Sequence, residues 1–169
     1  RIARQTWHFF ETTITAQDNW LPPDNYQGEP YTRLARRTSP TNIAMGLMAG
    51  VVAWRLGFIG RVELAARTAN TFTALRRLER YRGHFLNWYD TATLIPLEPR
   101  YVSTVDSGNL AAALIALANS LREAVHHPDI EAERWCGLIP VIELAAAADD
   151  GANAAGWAAM TDTVRAVAN

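Results

Sequence analysis

Apolar positions recur every three or four residues at the start of the chain. Ile2, Thr6, Phe9 and Phe10 line one side of a helix predicted over about 2–13, while Arg4, Gln5 and Glu11 occupy the other side. From about Thr15 to Ser39 the periodicity disappears, and Pro22, Pro23, Gly28 and Pro30 make the segment too rich in breakers for a helix. A connection that long inside a compact domain is usually functional or disordered. Ser39-Pro40-Thr41-Asn42 then opens a second helix, with Ser39 able to accept from free N–H groups and Pro40 at the first helical position, where its missing donor costs nothing. Ile43, Met45, Leu47, Met48, Val51, Val52 and Trp54 are spread around the whole circumference as far as about Leu56, which predicts burial on all sides.

After a tight Gly57-Phe58-Ile59-Gly60 turn, Val62, Ala65, Ala69, Phe72, Leu75 and Leu78 repeat at three or four, so a third helix with that stripe inward is expected. Arg76, Arg77 and Arg80, with Glu79 among them, read as its solvated face. A second long loop, about Tyr81 to Ser107, feeds another nearly all-apolar helix, Leu110 to Ala118, capped by Asp106 or Ser107. Beyond His126-His127-Pro128 a helix is expected to begin near Asp129 and to break or kink at Gly137 and Pro140 before Val141 to Ala148. A last helix after Gly151 carries Trp157, Met160, Val164 and Val167. No strand is expected. Short turns join inner to outer helices and long loops join outer to inner, so both long loops fall on one side. That is the logic of an all-α fold, helical hairpins forming part of an (α/α) toroid with two long cleft loops on one face.

Composition narrows the function classes. The 169 residues suit one domain or one large piece of one, and because Arg1 already lies in helical pattern a segment of a longer protein is expected. Hydrophobic residues make up 49%, enough for a packed core. A formal net charge of −1 provides no basic field, which argues against nucleic acid. All sixteen basic residues are Arg, read first as a codon-usage bias. The single Cys136 allows no internal disulfide, and His126-His127 reads as a helix-end pair without metal-ligand spacing. Neither a metal nor a cofactor is expected. No apolar run approaches the ~18 residues of a spanning helix, so this segment is not expected to insert into a membrane.

The residues suited to sugar binding gather in the two long loops and the helix starts they feed. The first loop supplies Asp18, Trp20, Asp24, Asn25, Tyr26 and Arg37, with Asn42 just beyond; the second supplies His84, Asn87, Trp88, Tyr89, Asp90, Arg100 and Asp106, with Asn109 just beyond. A pyranose offers hydroxyls that Asp, Asn and Arg bind in pairs, and a C–H face that lies on an aromatic ring. Each has a plainer reading: Trp20 and Trp88 as loop anchors, Ser39, Asn42 and Asp106 as caps. Glycosidic bond chemistry needs two carboxyl groups across the scissile bond. The loop carboxyls are Asp18, Asp24, Glu29, Asp90, Glu98 and Asp106; Asp90 and Asp106 are the candidates put forward, as hydroxyl binders or helpers before catalysts.

Five strings in order carry a resemblance: Thr6-Trp-His-Phe-Phe-Glu11, Asp18-Asn-Trp-Leu-Pro-Pro-Asp-Asn-Tyr-Gln27, Arg37-Thr-Ser-Pro-Thr-Asn-Ile43, Arg82-Gly-His-Phe-Leu-Asn-Trp-Tyr-Asp-Thr91 and Pro99-Arg-Tyr-Val-Ser-Thr-Val-Asp-Ser-Gly-Asn-Leu110. Together they closely resemble the central region of bacterial cyclic β-1,2-glucan synthases, over about residues 5–123. The resemblance implies a glucoamylase-like (α/α)6 domain within a large inner-membrane parent, acting at its cytoplasmic face and closing linear β-1,2-glucan into a ring. It implies that the candidates named above, from Trp20 to Asn109, are glucan contacts or cleft scaffolding. The essential glutamates are expected in later sequence, and the remaining domains of the parent chain are the expected partners. Arg36, Ala44 and Leu86 depart from the family's His, Gly and Tyr. A non-catalytic glucan-holding or spacer domain and an endo-β-1,2-glucanase are the alternatives.

Overall fold

The structure, a computed structural model, describes residues 1–126, 131–149, 151 and 153–168. His127, Pro128 and Asp129, where the next helix is expected to begin, lie outside the described residues. Six helices are seen among the described residues: α1 (Ile2–Thr13), α2 (Pro40–Arg55), α3 (Arg61–Arg77), α4 (Thr104–His126), α5 (Glu131–Ala148) and α6 (Ala154–Ala168). Helix α2 starts as its sequence predicts: Ser39 is extended, its Oγ accepts from the Asn42 N–H at 3.2 Å, and Pro40 is the first helical residue. It is also the hub, with α1, α3 and α4 all packed against it. Ile43, Leu47 and Trp54 of α2 join Leu64 and Leu75 of α3 and Leu110 and Leu117 of α4 in one buried cluster. Each such side chain stabilises the fold by ~1.5–3 kcal/mol relative to exposure.

Several expectations are corrected. The inward stripe of α3 is Leu64, Thr71, Ala74 and Leu75, continued by Leu78, whereas Val62, Ala65 and Ala69 face out. The expected stripe therefore holds at Phe72, Leu75 and Leu78 and fails in the first half of the helix, where alanine and first-turn positions weigh little in periodicity. Helix α2 is not buried all round, since Met45, Val52 and Leu56 are exposed along one line. Helix α4 begins at Thr104, and Ser103, not Asp106 or Ser107, caps it: the Asp106 N–H donates to Ser103 Oγ at 3.2 Å. Helix α5 is continuous through Gly137 and Pro140. It packs on α6 and meets the α2–α3 turn at Gly137, where a Cβ would overlap the Gly57 carbonyl.

Strands are present as well, all in the long loops. A hairpin pairs β1 (Tyr26–Gln27) with β2 (Arg33–Leu34), and another pairs β4 (Arg80–Tyr81) with β5 (His84–Phe85). The second has a two-residue turn in which Arg82 (φ 49) and Gly83 (φ 87) both take positive φ, as right-handed strand twist requires. Most consequential is β3 (Arg37–Thr38) against β6 (Tyr89–Asp90), because this ladder joins the first long loop to the second, Arg37 opposite Asp90 and Thr38 opposite Tyr89. Two-residue ladders carry almost no sequence periodicity, which is why none was expected.

Candidate functional site

Both long loops lie over the N-terminal ends of α2 and α4, where the β3–β6 ladder and a set of buried polar contacts bind them together. Asp18, 4% exposed, is the anchor. It takes the Arg36 guanidinium at 2.9 and 3.0 Å and the Thr91 hydroxyl at 2.7 Å. Beside it the Asn19 amide donates to the Thr91 and Ala92 carbonyls, both at 2.8 Å, and the Arg77 guanidinium of α3 donates to Asn19 Oδ1 at 3.2 Å. Arg36, although its side chain is half exposed, is thus held on a buried carboxylate.

On the exposed side of this seam a second group assembles. Arg37 grips Asp24 through Nε at 3.0 Å and Nη2 at 2.8 Å, and its guanidinium lies 5.0 Å above the Trp88 ring. Stacked and paired in this way, Arg37 loses side-chain freedom and holds a defined charge beside the indole. Asn25 donates to Asp24 at 2.9 Å and Asn42, on the first turn of α2, at 3.3 Å. Asn109 of α4 reaches Thr41 of α2 at 3.0 Å, tying the two helix starts. Five of the predicted site residues (Asp24, Asn25, Arg37, Asn42 and Trp88) thus form one cluster, Asn87 and Asp106 form the adjoining layer beneath, and Asn109 is exposed at the start of α4.

The others are placed differently. Tyr89 is fully buried; its hydroxyl accepts from the Leu86 N–H at 2.6 Å and donates to the Glu79 carbonyl at 2.7 Å. Burial pushes this phenol above its ordinary pKa against the opposing pull of the Leu86 amide and Arg80. Tyr89 is part of the buried framework of the second loop. Arg100 is engaged by Glu79 at 2.9 Å and Glu98 at 3.1 Å. His84 and Tyr26 are exposed on their hairpins. Trp20 adopts φ 58, and its carbonyl accepts from Thr71 of α3 at 3.0 Å, so its backbone anchors the loop on the outer helix.

Neither catalytic candidate has the environment of a proton donor. Asp90 Oδ1 accepts from the Ala92 and Thr93 N–H groups at 3.0 and 2.7 Å and from the Thr93 hydroxyl at 2.9 Å. The Thr93 amide is the main cause of a pKa below the ordinary carboxylate value. For Asp106, burial opposes ionisation, but hydrogen bonds from Ser103, Thr41 and Ser39 outweigh it, and the pKa is again lowered. A general acid needs the opposite shift. Thr41 and Ser103 were missed as parts of the site. The Ser103-Thr-Val-Asp106 string was the available signal, a capping pattern with an acid three residues after the cap.

No family model matches the chain. It is 50% identical over 128 residues, 76% of its length, to the cyclic β-(1,2)-glucan synthase NdvB of Rhizobium meliloti (strain 1021), of which it spans 4%. Its fold is similar to crystal structures of glucoamylase-like proteins from Bacteroides fragilis (TM-score 0.59, 16% identity) and Bacteroides caccae (TM-score 0.56, 18% identity). Each alignment covers 72% of this chain, and 33% and 34% of the respective neighbours. Identity at that level establishes the fold alone. Half of the aligned residues shared with a glucan synthase, on a glucoamylase-like helical array, place the chain in the cyclic β-(1,2)-glucan synthase family, of which it represents one short segment.

Proposed function

We propose that the face built from the two long loops binds β-1,2-glucan within a cyclic β-(1,2)-glucan synthase, and that this segment supplies substrate contacts to a cyclising transglycosylation whose acid and nucleophile come from elsewhere in the parent. The observation that carries this reading is the Arg37–Asp24 pair set over Trp88 at the seam of the loops. It offers a ring for a pyranose C–H face and, around it, fixed hydroxyl partners in Arg37, Asp24, Asn25 and Asn42. The remaining domains of the parent are the proposed partners, at the cytoplasmic face of the inner membrane. Among the described residues no helix is long and apolar enough to cross a membrane.

The test is a titration of linear β-1,2-glucan oligomers into the 169-residue chain, followed by amide chemical shifts. Weak binding, with Kd about 1 mM, is expected, and Trp88→Ala weakens it at least ~tenfold. The oligomers are recovered unchanged. Equal response to a β-1,4-linked oligomer, or binding that survives Trp88→Ala, overturns the reading. A spacer role is the second reading, favoured by the hydrogen bonds that the Asp90 carboxylate takes from Ala92 and Thr93 and the Asp106 carboxylate from Asn87, Ser103, Thr41 and Ser39. A parent synthase carrying Trp88→Ala, Asp90→Ala and Asp106→Ala that still closes rings supports it.

A further inference from the structure

Beneath Trp88 lies a chain of three side chains whose donor and acceptor identities allow one arrangement. Asn87 is 4% exposed and sits between Asp106, Trp88 and Tyr101. An ionised carboxylate only accepts and an indole N–H only donates. The Asn87 carboxamide, assigned from these neighbours, therefore turns its nitrogen to Asp106 Oδ2 at 3.0 Å and its oxygen to Trp88 Nε1 at 2.8 Å and Tyr101 OH at 2.8 Å. Asp106 is itself held from the far side, by Ser103 at the start of α4 and by Ser39 and Thr41 at the start of α2. The opposite constraint on Trp88 is Arg37, 5.0 Å from the ring.

We infer that Asp106 and Asn87 act as positioning residues: Asp106 fixes the orientation of the Asn87 amide, Asn87 fixes the indole of Trp88, and the two inner helix starts thereby set the angle at which the ring faces a sugar. Asp106, put forward from sequence as a contact or helper, then works one residue removed from the ligand. The functional consequence rests on the proposed glucan role of Trp88, whereas the geometry does not.

The experiment separates the two. The indole N–H resonance of Trp88, identified by its loss in Trp88→Phe, is followed in proton–nitrogen spectra of the full chain, together with its exchange with solvent. Asp106→Ala and Asn87→Ala should each shift that resonance and speed its exchange about tenfold, and the double variant should do no more than either alone. Asp106→Asn, which keeps an acceptor for the Asn87 amide, should restore most of the wild-type resonance. Ser107→Ala, on the same first turn of α4 but with its hydroxyl on the Ser103 carbonyl, should leave the indole in place, which distinguishes positioning from general loosening of the helix start. An indole resonance unmoved by Asp106→Ala in the folded variant, or effects of the two single variants that simply add, overturns the inference whatever the glucan titration shows. A moved resonance supports it, and unchanged glucan affinity beside that result counts against the glucan role of Trp88 alone.

Discussion

Tyr89 illustrates how a residue that reads as a ligand contact can belong to the frame. Its ring is fully buried, and its hydroxyl joins Leu86 to Glu79, the two residues that flank the β4–β5 hairpin. Tyr89→Phe leaves the Leu86 amide and the Glu79 carbonyl without that partner, so a loss of ~1–3 kcal/mol is expected in urea unfolding. Asp90 and Asp106 carry a pH dependence of defined sign. Both pKa values are lowered in the folded chain, so both stabilise it fully above their ordinary value of 3.8, and that contribution is lost as pH falls through the lower folded values. Urea midpoints should therefore hold steady on acidification from neutrality and fall below about pH 4, and the fall should be shallower in a chain carrying Asp90→Asn and Asp106→Asn.

At the scale of elements, the helix starts and the close approaches carry the testable weight. Ser103→Ala removes the cap of α4 and should cost about 1 kcal/mol, whereas Ser107→Ala, one turn in, should change stability by less than ~0.5 kcal/mol. Two glycines in helices should respond with opposite signs. A Cβ at Gly108 of α4 meets nothing within 4 Å, so Gly108→Ala should stabilise the chain by about 0.5–1 kcal/mol. A Cβ at Gly137 of α5 would overlap the Gly57 carbonyl, so Gly137→Ala should push α5 from the α2–α3 turn. Hydrogen exchange checks this as faster exchange confined to α5 and the 57–60 turn, with the long loops unchanged.

For the molecule as a whole, the helical array leaves an apolar flank uncovered. Met45 and Val52 of α2 and Ile115 of α4 are each more than half exposed although they occupy inner helices. The even spread of apolar residues around α2 is what makes them read as core in the sequence, since a helix apolar on all sides is normally buried on all sides. Exposed in the 169-residue chain, this surface should promote self-association. Sedimentation should reveal a concentration-dependent mass, reduced by Val52→Glu with Ile115→Glu. Because both positions face water, unfolding midpoints should barely move.

The local record was readable. Helix α1, the Ser39 cap, the tight 57–60 turn and the two long loops follow from patterns spanning at most a few turns, because a helix's hydrogen bonds and caps are made between residues close in sequence. The motif strings likewise carry the family likeness by themselves, being runs of neighbouring residues. What the chain alone did not reveal depends on partners far apart: Arg37 opposite Asp90, Asp18 beneath Thr91, Asn109 against Thr41. These pairs form only once packing around α2 brings the ends of the helices together, since ordering such distant segments has an entropic cost that no local pattern offsets. The sequence thus determined which residues were available in the two long loops. The tertiary structure decided which of them stay at least partly exposed, as Trp88 and Arg37 do, and which, like Tyr89, are buried beneath the loops.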